Sequence, residues 1–154
     1  MTLRTQFNDS LKDAMRAKDQ RAVSTIRMIL AGLKDRDIAA RPRGVTDGID
    51  EAEILSMLQA LVKQRNESAV LYDQGGRPEL AQQEREEIAV IERFLPKQMS
   101  EEESAAAIDA IVTELGAASI KDMGKVMAEL KARHAGQMDF AKAGALVKAR
   151  LSGK

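Results

Sequence analysis

The chain has no cysteine and no tryptophan, one histidine and three prolines in 154 residues. Without cysteine there is no disulfide framework, no thiolate metal site and no cysteine nucleophile. The single imidazole, His134, is the one base a serine nucleophile could use, and a lone histidine argues against a structural zinc site. His134 falls in the last turn before Gly136, where a helix C-terminus favours a cation, so it reads as a capping or surface residue. No metal and no cofactor are expected. The aromatic residues are Phe7, Tyr72, Phe94 and Phe140. That is too few for the stacking platforms on which most single-strand nucleic-acid binders rely. No window approaches the ~20 apolar residues of a membrane span. The first seven residues lack the apolar run of a secretory leader. The expectation is a soluble, cytoplasmic protein with no membrane partner.

Charge of one sign is also missing overall, since 24 basic and 24 acidic residues cancel. That balance disfavours strong non-specific binding to nucleic acid. It conceals a local excess. Residues 121–150 hold Lys121, Lys125, Lys131, Arg133, Lys142, Lys148 and Arg150 against Asp122, Glu129 and Asp139, seven against three. The compensating acid lies in Glu84, Glu86 and Glu87 and in Glu101, Glu102 and Glu103.

What is present is helix. Ala, Leu, Glu, Lys, Arg, Gln and Met dominate, apolar residues recur at three and four, and no long alternating β-branched run occurs. A first helix starts near Thr2 with Leu3, Phe7, Leu11, Ala14 and Met15 on one face. Asp19 caps a second, carrying Val23, Ile26, Leu30 and Leu33 and ending before Arg41-Pro42. After the loop to Gly48, Asp50 and Glu53 look like a capping-box variant opening a third helix. Its core face is Ile54, Leu55, Leu58, Leu61, Val62 and Ala69, and Gly75-Gly76 ends it. Pro78 suits the first turn of a fourth, with Leu80, Glu84, Ile88, Ile91 and Leu95 in register. The main boundary is Phe94-Leu95-Pro96-Lys97-Gln98-Met99-Ser100, either a domain junction or a sharp interhelix turn. Ser100 and Glu103 form a capping box for a fifth helix closed by Gly116. A sixth runs from Ser119 to Ala135, and Asp139 caps a seventh with Phe140, Leu146, Val147 and Leu151 inward. The fold class is all-α: a helical-bundle N-terminal domain of four helices over residues 1–95, then a small three-helix C-terminal domain over residues 96–154.

Most chemistry-bearing residues have an ordinary structural reading. Glu84, Glu87 and Glu92 read as a solvated face pairing along the helix with Arg85 and Arg93. Gly75-Gly76-Arg77 lacks the lysine and hydroxyl of a phosphate-binding loop and reads as a helix terminator. Met28, Met57, Met123 and Met127 fall at core spacing. Lys63-Gln64-Arg65 is a polar block in an amphipathic helix, readable as a salt-bridge network joining helices or as an anion contact. One segment stands apart: Ser119-Ile120-Lys121-Asp122-Met123-Gly124-Lys125-Val126-Met127. A mid-helix glycine costs about 1 kcal/mol relative to alanine, so it needs a reason, and the usual reason is close approach of another backbone or a ligand. Lys121, Gly124 and Lys125 would share one face while Met123, Val126, Met127 and Leu130 form the buried one.

Three segments together carry a family likeness. Leu95-Pro96-Lys97-Gln98-Met99-Ser100 followed by glutamates is similar to the "LP-x-Q-(L/M)-S-x-E-E" hinge of the GatB/YqeY family. Gly116-Ala117-Ala118-Ser119-Ile120-Lys121-Asp122-Met123-Gly124-Lys125-Val126-Met127 resembles its block "GA-x-S-x-KDMGKVM". Leu146-Val147-Lys148-Ala149-Arg150-Leu151 resembles the closing "VK-x-x-L". Arg65-Asn66-Glu67-Ser68, Gly75-Gly76-Arg77 and Glu86-Glu87-Ile88 fit the same pattern. The resemblance spans essentially the whole chain and implies a stand-alone relative of the tail of the B subunit of tRNA-dependent amidotransferases. In those enzymes the tail helps bind tRNA, and the kinase and amidase chemistry lies elsewhere.

The leading expectation is therefore a non-catalytic tRNA-binding or accessory protein, with tRNA-charging or amidotransferase proteins as further partners. Lys121, Gly124 and Lys125 are its RNA-facing residues by motif, and Lys131 and Lys148 by charge. Asp122 would cap or orient the helix that carries Lys121. The alternatives are a helical protein–protein adaptor, in which the Gly124 face takes a partner helix, and a carbon–nitrogen ligase with glutamine as amido donor. No catalytic residues are assigned.

Overall fold

The computed structural model describes residues 2–152, and among them all regular structure is helical. The helices are α1 (Leu3–Arg16), α2 (Gln20–Ala40), α3 (Glu51–Gln74), α4 (Pro78–Glu92), α5 (Glu101–Leu115), α6 (Met123–His134) and α7 (Phe140–Leu151). Short 3-10 turns occupy Arg41–Arg43 and Ile120–Asp122.

The ends follow local chemistry. Thr2, Asp19 and Asp50 each accept a hydrogen bond from the backbone N–H three residues on, at 3.2, 3.1 and 2.9 Å. Ser100 and Glu103 exchange side-chain-to-backbone bonds of 2.9 and 3.1 Å in a full capping box, and Asp139 accepts from Ala141 N at 2.9 Å. Each satisfies an amide that the first helical turn leaves without a partner. At the other ends, Gly116 and Gly136 take left-handed φ values of 62° and 76°, a conformation that costs a side-chain-bearing residue about 1 kcal/mol or more.

Contacts divide the chain into two compact units, Met1–Leu95 and Pro96–Lys154. In the first, Phe7, Ile26, Ile29, Ile54, Met57, Leu58 and Ile91 are fully buried. Phe94 returns onto α1, its ring meeting that of Phe7 edge-on at 4.9 Å, a favoured aromatic arrangement. In the second, Ile108, Ile111 and Val112 of α5 pack with Val126 and Leu130 of α6 and Ala143, Val147 and Leu151 of α7. Met123, Met127 and Phe140 cover this core from its edges.

Three details differ from the sequence expectation. Met15 and Leu146, read as inward, are about half exposed, at 51% and 44%. An apolar residue at the rim of a helical stripe is covered only where a neighbouring helix reaches it, and the spacing does not say how far that neighbour reaches. The third difference bears on function. The sixth helix begins at Met123, not Ser119, because Asp122 folds back and its Oδ2 accepts from Ala118 N (2.9 Å) and Ser119 N (3.3 Å). This closes a separate 3-10 turn ahead of α6. Gly124 is consequently the second residue of α6 rather than a mid-helix residue.

Candidate nucleic-acid interface

The position of Gly124 changes the argument for it. In a first turn the helix-interior figure no longer applies as it stands, and the entropic cost of ordering a glycine does not by itself call for a ligand. What remains is geometric. A Cβ built at Gly124 would meet no atom within 4 Å. The protein's own packing therefore neither requires this glycine nor fills the space above it.

Lys121 sits in the 3-10 turn, Lys125 is the third residue of α6, Lys131 lies in its last turn, and Lys148 lies in the last turn of α7. All four are exposed, as is Lys142. Gly124 and Lys131, seven residues apart, lie on one stripe of α6. On α7 the side facing α6 is marked by Gly144, where a Cβ would stand 3.8 Å from Met127 Cε and 3.9 Å from Met123 Cε. Lys148, one turn further on, lies on that same side.

The two arginines of the region face α5 instead. Arg133 Nη2 lies 2.7 Å from Glu114 Oε2 and its Nε 3.2 Å from Glu129 Oε1. Arg150 Nε lies 2.9 Å from Asp109 Oδ1. Beside Arg133, the Glu114 carboxyl is held below its ordinary pKa by the hydrogen bond it accepts. Asp122 is likewise held low, by the backbone amides of Ala118 and Ser119 first and by the charge of Lys125 last. Asp139 caps α7. The acids of residues 121–150 are thus engaged with arginines or with backbone amides. Among the described residues Lys121, Lys125, Lys131, Lys142 and Lys148 form no ion pair. Lys121 and Lys125 also stand at the positive end of the α6 macrodipole, where a lysine is electrostatically unfavourable and an anion favourable.

The other candidates resolve into structure. Arg65 Nε donates to Glu87 at 2.9 Å and its Nη1 to Leu61 O at 3.2 Å, and Arg21 Nε lies 3.3 Å from Glu86. Arg65 of the polar block thus belongs to a salt-bridge network that links α2, α3 and α4. Among the described residues no ion pair joins Glu84, Glu87 or Glu92 to Arg85 or Arg93 along α4: Arg85 reaches across to Asp73 of α3, and Glu87 to Arg65. Antiparallel α3 and α4 lie side by side, which brings cross-helix partners as near as those along one helix. His134 is partly buried, its Nδ1 3.0 Å from Gln137 Oε1.

Sequence reasoning missed which cations would be engaged. The rotations that turn Arg133 of α6 and Arg150 of α7 toward α5 acids are set by helix packing, not by spacing along the chain.

The arrangement defines an all-α protein whose C-terminal helices carry exposed lysines without ion pairs among the described residues, and whose Gly124 has open space above it. The sequence profile of the YqeY-like protein family matches residues 4–151, and the chain belongs to that family. Similar curated proteins are all named altered inheritance of mitochondria protein 41, mitochondrial. That of Eremothecium gossypii is 34% identical over 111 residues, 71% of this chain and 58% of the relative. That of Lachancea thermotolerans is 33% identical over 107 residues, 68% and 55%. That of Kluyveromyces lactis is 31% identical over 112 residues, 71% and 58%. The chain therefore spans little more than half the length of the curated relatives it matches. Their names correct one expectation. The cytoplasmic assignment conflicts with relatives named as mitochondrial. A lack of cysteine and of an apolar run in the first residues does not tell one compartment from another.

Proposed function

We propose that this protein is a non-catalytic RNA-binding accessory factor, with tRNA as the RNA and with tRNA-charging or amidotransferase proteins as its wider setting. The observation that supports the reading is the split among cations: the arginines of residues 121–150 are committed to α5 acids, while the lysines are exposed and unpaired. Lys121, Lys125, Lys131 and Lys148 would neutralise phosphates, and the missing side chain at Gly124 would admit the ribose-phosphate chain against the first turn of α6. Contacts of this kind position an RNA and carry no base readout. The test is a fluorescence-anisotropy titration of labelled tRNA at several salt concentrations. Affinity should fall linearly on a log–log plot, with a slope that each phosphate contact steepens by roughly 0.7–0.9. Absence of binding at low salt refutes the reading.

One observation favours a second reading. Ile120 and Leu146, both large and apolar, are 45% and 44% exposed in the same C-terminal unit. An adaptor surface would use them, and a pull-down with and without nuclease separates the two: partners retained after nuclease treatment favour the adaptor. A ligase acting alone would release ammonia from glutamine, which the purified protein can be assayed for directly.

A further inference from the structure

The seam between α3 and α4 contains an anomaly. Two antiparallel helices joined by a short Gly75-Gly76-Arg77 turn bury apolar residues at three- and four-residue spacing. On α3 the row reads Leu61, Arg65, Ser68, Tyr72; on α4 it reads Leu80, Glu84, Glu87, Ile91. The ends are aliphatic or aromatic, and the middle is polar. Because Ser68 is short, the middle does not close. A cleft of about 250 Å³ remains, lined by Gln64, Arg65, Ser68, Tyr72, Gln83, Glu84 and Glu87, with Leu80 at one end.

Within the cleft the charges do not balance. Arg65, the one cation in its lining, is committed to Glu87 and to Leu61 O, and Arg21 also approaches Glu87, at 4.0 Å. Glu84 is half-buried and forms no ion pair among the described residues. Burial first, and then the charge of neighbouring Glu87, push the Glu84 carboxyl above its ordinary pKa, against the opposing charge of Arg65, which is committed to Glu87. Two carboxylates at the seam, Glu84 and Glu87, with one arginine in the cleft lining between them, weaken the hairpin relative to a leucine at Glu84. The surrounding amides and hydroxyls are hydrogen-bonding groups that an apolar occupant would leave unused.

We propose that the α3–α4 cleft is a binding site for a small molecule bearing a primary ammonium group, seated on Glu84 and oriented by Gln64, Ser68 and Tyr72. The ammonium supplies the countercharge that the cleft lacks, and its three donors match the carboxylate and the neighbouring oxygens. Polyamines and compounds with an α-amino group share this chemistry. The site lies in the first unit and is independent of the lysine surface.

The experiment is an NMR titration of the full chain with putrescine, with glycinamide, and with neutral butanediol, following the backbone amides of α3 and α4. Saturable shifts around Ser68 and Glu84 with putrescine or glycinamide at up to about 10 mM, and none with butanediol, support the site. The amine that binds more tightly identifies the source. Glu84→Gln keeps the shape and removes the charge, and it should weaken binding at least tenfold with the helical circular dichroism unchanged. Glu102→Gln, which removes an exposed carboxylate in the other unit, should bind as the wild type does. No saturable shift with either amine, equal shifts with butanediol, or undiminished binding by Glu84→Gln overturns the proposal.

Discussion

Arg4 and Asp37 are joined by two parallel hydrogen bonds of 2.8 Å, from Nη1 to Oδ2 and from Nη2 to Oδ1. The same pair holds the chain ahead of α3. Asp37 Oδ1 accepts from Ile49 N at 2.8 Å, and Arg4 Nη2 donates to Ile49 O at 3.0 Å. One fork thus ties α1, α2 and the 44–50 segment together. Bidentate, charge-assisted bonds of this kind are the strong members of their class.

The Asp37 carboxyl is lowered to about 2, first by the hydrogen bond from Arg4 and further by the Ile49 amide. A folded-state value below the ordinary one means stability that is present at neutral pH and lost as pH falls from the usual carboxylate range toward about 2. Arg4 is about one-third exposed, so screening trims the contribution to about 1–2 kcal/mol. Asp37→Asn should lose that amount in urea unfolding at neutral pH. It should also flatten the fall in stability that the wild type shows on acidification through this window. Identical acid profiles for the two proteins would show that the pair does not set this dependence.

Gly48 sits beneath the fork at φ +95°, and a Cβ there would lie 2.6 Å from Arg4 Nη2 and 3.1 Å from Asp37 Oδ1. Gly48→Ala therefore meets two obstacles, a left-handed backbone costing roughly 1–2 kcal/mol and a collision with the pair itself. Because the collision acts by displacing Arg4, it loses its meaning once the pair is gone. Gly48→Ala in the Asp37→Asn background should cost less than in the wild type, a non-additivity of about 0.5 kcal/mol or more by urea unfolding. Strict additivity would mean that the loop shifts without disturbing Arg4.

Leu130 and Val126 are fully buried among α5 and α7 residues of the second unit. Leu130→Ala should cost about 2–5 kcal/mol. If residues 1–95 and 96–154 are separate domains, the penalty falls on one of two unfolding steps. Amides of α5–α7 would then exchange faster with deuterium while those of α1–α4 keep their rates. A uniform loss of protection in both units would make the chain a single cooperative domain.

The helices themselves were legible because each boundary is carried by a residue with a short-range job. Thr2, Asp19, Asp50, Ser100 and Asp139 cap, and Gly75, Gly116 and Gly136 terminate, within a few residues of where they stand. The start of α6 was not legible. Its apolar stripe extends back to Ile120 at helical spacing, and only the backward reach of Asp122 separates a 3-10 turn from the helix. The candidate site divides in the same way. Which residues are lysine is plain from the chain, but which cations α5 engages depends on helix rotation, a tertiary property that periodicity does not contain. Glu84 shows the converse: its place in the apolar register of α4 was visible, and the consequence of that place required α3 to be set beside it.

Gly124 offers the sharpest separation of structure from function. Its φ is not left-handed and no atom lies within 4 Å of a Cβ built there. Gly124→Ala should therefore fold normally and gain up to about 1 kcal/mol through lower unfolded-state entropy. If an RNA backbone settles on that spot, the same methyl group blocks it. The variant should then be more stable in urea and bind tRNA several-fold more weakly, with its salt slope unchanged because no charge has been removed. Lys125→Ala and Lys148→Ala should do the reverse, leaving stability nearly untouched and making the slope shallower by roughly 0.7–0.9 for each phosphate no longer neutralised. A Gly124→Ala protein that binds tRNA as well as the wild type would mean that the open patch is not where the RNA sits, even if the lysines still matter.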